Sequence, residues 1–283
     1  MLDKKTNSIF LKIENTRKLN NSNWMELLRI AYTSNPKETT KILKKILQKD
    51  EALIKLAKFL TKKKIINFMS DKFNKTINDL ANHYDKLVKK FGNNVKSSQQ
   101  STLATRKKRL ENLIQYLDIK KKNSVLDFGC GTGFLYEHLK NLNFKGSYTG
   151  IDISPEAIKL ANKLYNKNKN CNFILTNILK TKLKKKFDYV LINGTFNNNT
   201  KNNWIWMKKS LIQLFSITKK AIIFNNLSYY VDYYDKKLFY IKPEKVFFFC
   251  KNELGKKVIL NNSYVLKKNT IPYEFTTCVK KND

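Results

Sequence analysis

The stretch from Ser124 to Gly133, Ser-Val-Leu-Asp-Phe-Gly-Cys-Gly-Thr-Gly, constrains the fold more than any other part of the chain. Val125 and Leu126 read as a buried strand, with Asp127 at its carboxyl end. Gly129, Gly131 and Gly133 follow as a loop lean enough for backbone to lie against a ligand. Phe134, Leu135, His138 and Leu139 then recur at helical spacing. Strand, glycine-rich turn and helix N-terminus together form a nucleotide-type cradle. A second strand, Tyr148-Thr149-Gly150-Ile151-Asp152, also ends in an acid. A carboxylate at that place can accept both hydroxyls of a ribose. Ser154-Pro155-Glu156 opens the next helix, with Ser154 as cap and Pro155 in the first turn.

Residues 125–133 and Gly150 to Ser154 resemble the first two motifs of the class I S-adenosylmethionine-dependent methyltransferases. The glycines alternate as Gly-x-Gly-x-Gly after an Asp, whereas the NAD-binding Rossmann fingerprint is Gly-x-Gly-x-x-Gly. The resemblance covers roughly residues 80–283 and implies an α/β fold: a Rossmann-like seven-stranded methyltransferase sheet with a C-terminal antiparallel hairpin. S-adenosylmethionine is the implied cofactor. Further strands are expected at Cys171–Thr176, Phe187–Ile192, Ala221–Phe224, Val258–Leu260 and Phe275–Val279, with helices at Trp204–Ile217 and Val246–Leu254. Residues 71–283 form the expected methyltransferase domain, with a helical lead-in over 71–120 and the catalytic sheet over 121–283.

Residues 1–70 read as a small all-helical extension or bundle. Its apolar faces are Trp24, Leu27, Leu28 and Ala31; then Ile42, Leu43, Ile46 and Leu47; then Leu53, Ile54, Leu56, Ala57 and Leu60. The middle helix has a capped start at Asn35-Pro36-Lys37-Glu38. A packing extension and a docking or homo-oligomerisation module are both open readings.

On the same resemblance the cofactor-binding residues are Asp127, Phe128, Gly129, Cys130, Gly131 and Gly133 of the loop and Asp152 for the ribose. Ile153 and Ile178 are placed on the adenine faces. Asn177 stands where many relatives have an adenine-binding Asp, and its carbonyl oxygen can accept the same bond. Arg109 resembles a basic position that approaches the cofactor carboxylate, with a surface arginine as the alternative. The fourth motif reads Asn193-Gly194-Thr195-Phe196-Asn197. Nucleic-acid amino-methyltransferases of this class carry two prolines where Gly194 and Thr195 stand, which takes support from a flipped-base substrate. Asn193 contributes to the cofactor site and, with Tyr230, supplies the candidate catalytic groups. Tyr229, Tyr230, Tyr233, Tyr234 and Tyr240 read as a stacking wall for a sugar or ring, a tyrosine-rich core edge or an amine cage. His138 reads as structural.

The formal charge of +34 points first to nucleic acid or an anionic surface. Yet the basic residues are nearly all lysine, spread along the chain, with arginine only at Arg17, Arg29, Arg106 and Arg109. Proteins selected to grip phosphate favour the arginine fork, so specific nucleic-acid binding is not expected. Cys130, Cys171, Cys250 and Cys278 show no metal spacing and, with two histidines, complete no metal set, so a reducing cytoplasm and no metal are expected. No stretch reaches the length of a membrane span. The expected function is S-adenosylmethionine-dependent methyl transfer to oxygen or nitrogen of a small-molecule acceptor, such as a cell-surface sugar or its precursor. The alternatives are an RNA or protein methyltransferase and a non-catalytic methyltransferase-like binding protein.

Overall fold

A computed structural model describes residues 22–45, 66–181, 183–200, 202–255 and 257–281. The chain divides into two compact units, Met1–Lys72 and Phe73–Asp283. In the first, helix α1 (Ser22–Ser34) is followed by helix α2 over 36–45. Asn35 Oδ1 accepts from the Glu38 amide at 3.3 Å, the capping bond its sequence predicts. Leu27 and Ile42, from the expected apolar stripes, are exposed. The expected third face at Leu53–Leu60 lies outside the described residues.

The second unit is built on one sheet. Its strands are β1 (Ser124–Phe128), β2 (Ser147–Asp152), β3 (Cys171–Leu175), β4 (Phe187–Ile192), β5 (Thr218–Ser228), β6 (Tyr240–Ile241), β7 (Lys257–Asn261) and β8 (Glu274–Lys280). The order is β3-β2-β1-β4-β5-β8-β7, and the two-residue β6 pairs with β5 off this path. Pairing is parallel from β3 through β5, while β8 is antiparallel to both β5 and β7. The expected seven-stranded sheet with its antiparallel hairpin is therefore present, with β6 as an added short strand. Strand order reverses between β1 and β4, and such a switch point opens a crevice beyond the carboxyl ends of the strands.

Period-two alternation explains why both faces are covered. Along β5, Ala221 and Ile223 enter one core with Val125, Leu191 and Cys278. Ile222 and Phe224 enter the other with Val190, Ile192, Phe275 and Val279. The α-helices are α3 (Ile66–Phe91), α4 (Leu103–Ile114), α5 (Phe134–Asn141), α6 (Pro155–Tyr165), α7 (Asn203–Ser216) and α8 (Pro243–Phe249), which runs on as a π-helical stretch over Cys250–Leu254; a 3-10 turn covers Val95–Ser98. Ser154 caps α6 as expected, accepting from the Ala157 amide at 3.1 Å. Asp85 of α3 accepts from Ser154 Oγ at 2.5 Å and from the Glu156 amide at 3.1 Å. A carboxylate at a helix N-terminus is electrostatically favoured, and here it ties the lead-in helix to the end of β2.

Candidate functional site

A cavity of about 330 Å³ lies at the switch point. Phe128, Gly129 and Gly131 of the glycine loop line it, with Asp152 and Ile153 at the end of β2 and Asn193 at the end of β4. Arg109 also lines it. Asp152 organises this wall. Its Oδ2 accepts from the Gly131 amide at 2.8 Å and its Oδ1 from the Ser154 amide at 2.9 Å. Burial raises its pKa, and these N–H bonds oppose the rise.

The three loop glycines answer three different demands. Gly131 has φ +54° and open space where a Cβ would stand, so here the missing side chain leaves room for a ligand. A Cβ on Gly129 would fall on the Thr195 side chain, whose Oγ1 donates to the Phe128 carbonyl at 2.8 Å. A Cβ on Gly133 would come within 2.7 Å of the Tyr165 ring and 3.0 Å of Phe173. Gly133 thus serves helix packing and does not line the cavity. Gly150 has a similar role, because a Cβ there would meet Cys130 Sγ at 2.8 Å.

Four other expected cofactor residues also lie off the lining. Asp127 is buried, with Tyr148 OH donating to its Oδ2 at 2.6 Å and Oδ1 sealed without a partner. Cys130 is buried against Gly150, and burial lifts its thiol well above the usual range. Asn177 turns its carbonyl back on the chain, accepting from the Leu179 amide at 3.0 Å. That turn sends Ile178 into the core, while Thr176 lines the cavity instead. Of the two adenine-face residues, only Ile153 stands at the wall.

Tyr230 requires a larger correction. It is 53% exposed, and its hydroxyl donates to Glu244 at 2.6 Å. Tyr229, Tyr233 and Tyr234 are exposed as well, and none of the five clustered tyrosines lines the cavity. The chain leaves β5 along the surface, where Tyr229 meets Tyr230 and Tyr234, and Tyr234 meets Tyr240, by edge-on or tilted ring contacts. Asn193 does face the cavity, and its Oδ1 accepts from Asn225 Nδ2 at 3.2 Å.

The sequence reading missed a buried polar network behind Asn193. Asn225 Oδ1 accepts from the Gly194 amide at 2.6 Å, and its Nδ2 also donates to Glu274 Oε1 at 2.6 Å. Arg109 Nε donates to both Glu274 oxygens at 3.0 and 2.8 Å. Tyr264 OH donates to Oε1 at 3.3 Å. Burial pulls the Arg109 pKa down, and Glu274 more than offsets this, so the guanidinium stays charged. Arg106, one turn earlier, lies 3.3 Å over the Phe134 ring, bonds Gln100 through Nε, and has Nη2 sealed without a partner. Tyr84, Asn198 and Trp206 also line the cavity. Asn198 Nδ2 donates to Tyr84 OH at 3.0 Å. Tyr84 falls in the helical lead-in expected over 71–120 and Trp206 in the helix expected at Trp204–Ile217, but no motif marked them or Asn198 as cavity residues.

The buried acid Asp127 makes a pH prediction. Burial, partly opposed by the Tyr148 bond, raises its pKa from 3.8 to about 7. The folded state then holds its proton more tightly than the unfolded state. This contribution is most favourable below about pH 4 and is lost as pH rises to about 7, opposite in sign to a salt-bridged carboxylate. Urea unfolding between pH 4 and 8 is expected to show a decline that Asp127→Asn flattens. An unaltered slope in the variant would assign the decline to other groups.

A family model described as a methyltransferase domain matches residues 119–239, and one described as protein-L-isoaspartate(D-aspartate) O-methyltransferase matches residues 48–178. The putative methyltransferase Rv1506c of Mycobacterium tuberculosis is 32% identical over 164 residues, covering 56% of this chain and 93% of that protein. The chain belongs to the class I S-adenosylmethionine-dependent methyltransferases. A malonyl-[acyl-carrier protein] O-methyltransferase of Acetivibrio thermocellus is 36% identical to this methyltransferase over 92 residues. That alignment spans 32% of each chain, so the likeness is confined to one part of the relative. Among solved structures, the N-methyltransferase NodS of Bradyrhizobium japonicum shares the methyltransferase fold at a TM-score of 0.51 and 13% identity. The match covers 71% of this chain and all of NodS. The plantazolicin methyltransferase BpumL shares it at a TM-score of 0.50 and 20% identity, over 74% of this chain and 99% of that one. No helix among the described residues is long and apolar enough to cross a membrane.

Proposed function

We propose that this methyltransferase moves the methyl group of S-adenosylmethionine to an oxygen or nitrogen of a small molecule held in the same cavity. The observation that carries the reading is Asp152, set at the switch point with its carboxylate ordering the Gly131 amide. In this reading Asp152 accepts from the ribose hydroxyls, Ile153 packs on the adenine and Gly131 leaves space for the cofactor. Arg106 stacks on Phe134, the first residue after the glycine loop, and does not line the cavity. The bound cofactor supplies an already activated methyl on a sulfonium, so positioning by the cavity walls is the main task of the protein.

A small acceptor suits a cavity of this volume. One matching family model and one similar protein bear O-methyltransferase names, which favours oxygen. A sugar acceptor loses the tyrosine wall that supported it, because those rings lie outside the cavity. Residues 1–70 are proposed as a helical extension to a methyltransferase domain over 71–283. Calorimetric titration with S-adenosylmethionine and separately with NADH tests the reading. Micromolar binding of the first and none of the second is expected. Binding of NADH alone, or of neither, would overturn it.

A further inference from the structure

We propose that the methyl acceptor presents a carboxylate, held by Arg109 and methylated at oxygen without a general base. This rests on the methyltransferase reading of the same cavity. Among the described residues, the titratable groups on the cavity lining are Tyr84, Arg109, Asp152, Lys267 and Tyr273. Transfer to a neutral hydroxyl or an ammonium needs a group to take the proton. Asp152 has both oxygens in backbone bonds and serves the ribose in this reading. Tyr84 and Tyr273 are both raised, chiefly by burial, which moves them away from acting as bases. Arg109 and Lys267 are cations. Among the described residues the lining therefore offers positive charge and no available base, which suits an acceptor that is already an anion.

Arg109 makes the class specific. It is 9% exposed, and among the described residues its hydrogen bonds run from Nε alone, to Glu274. A guanidinium has five N–H donors, so the four on the Nη atoms remain. Arg109 lines the cavity, and its Nη atoms are not among the sealed unpartnered atoms, so these donors open to the cavity. Their planar fork matches a carboxylate. Glu274 fixes the plane of the fork. Through Asn225 it also ties the fork to Asn193 and Gly194 at the end of β4. Arg106 is attached to the glycine-loop side through Phe134, whereas Arg109 is attached to β8 through Glu274. Leu80, Trp206, Leu227 and Leu238 on the same lining call for an apolar chain or ring behind the acid.

The step balances without a proton. A carboxylate oxygen lone pair forms the new O–CH3 bond as the S–CH3 bond breaks. The electron pair of the broken bond stays on sulfur, leaving the neutral thioether, and the product is a methyl ester.

Calorimetric titration of the full chain, saturated with S-adenosylhomocysteine, with 3-phenylpropionate, 3-phenylpropan-1-ol and 3-phenylpropylamine tests the inference. The carboxylate is expected to bind at least tenfold more tightly than the alcohol or amine, and Arg109→Lys, which keeps the charge but loses the fork, to reduce that preference. Equal binding, preference for the amine or alcohol, or no carboxylate binding would overturn it. So would a preference that Arg109→Lys leaves intact. Failure of S-adenosylhomocysteine itself to bind would overturn the methyltransferase reading first, which keeps the two failures apart.

Discussion

Asp152→Ala is expected to weaken S-adenosylhomocysteine binding by about 100-fold or more. Hydrogen bonds to a charged partner contribute roughly 1.5–3 kcal/mol each, and two ribose bonds lost together give about 3 kcal/mol at least. A tenfold change in affinity corresponds to about 1.4 kcal/mol. The variant also releases the Gly131 and Ser154 amides, so the loop loses its shape as well as its partner. The fold should survive, because β2 keeps its ladder to β1 and β3 and the substitution removes a partly buried charge. Asp152→Asn keeps a carbonyl acceptor and should fall between the two. Calorimetry on all three proteins reads the series. An alanine variant that binds as tightly as the parent would show that the ribose does not sit on Asp152.

Glu274→Gln is expected to cost about 3–5 kcal/mol of stability, the usual size when one member of a buried ion pair is removed. Glu274 is fully buried and meets Arg109, Asn225 and Tyr264. The amide leaves the Arg109 charge uncompensated in a low-dielectric wall. For a unit of this size the loss corresponds to a fall in melting temperature of roughly 6–20 °C. Arg109→Leu combined with Glu274→Leu should recover much of it, since replacing both charges removes the desolvation cost with the attraction. Thermal unfolding of the single and double variants measures this. A single variant within about 1 kcal/mol of the parent would mean the pair does not hold this wall together.

Much of the fold was legible because its signals are local. Val125 to Asp127 and Tyr148 to Asp152 announced strands with acids at their ends, and both strands stand at the switch point. Ser154 and Pro155 announced a helix start, and the cap bond is there. Boundaries were less legible. The strand read at Ala221–Phe224 runs over Thr218–Ser228, because its polar residues Asn225 and Asn226 are buried. Asparagine is a poor strand former in general, so no pattern within the strand predicts that continuation.

The site was legible where backbone and neighbouring residues define it. Asp152, Gly131 and Asn193 reached the cavity wall. Gly133, Cys130 and Ile178 did not, since one turn of the chain decides whether a residue beside a motif faces the cavity or the core.

The sequence by itself determined the methyltransferase sheet, the glycine loop and the acid at the end of β2. Strand alternation, helix caps and glycine spacing act over a few residues and leave their pattern in the chain. Only the tertiary structure decided that Thr195 closes on Gly129, that the tyrosine cluster lies outside, and that Arg109 meets Glu274 across 165 positions. Those contacts depend on how β4, β5 and β8 lie side by side. A buried charge finds its partner through packing in space, and nothing in the spacing of the two residues along the chain records it.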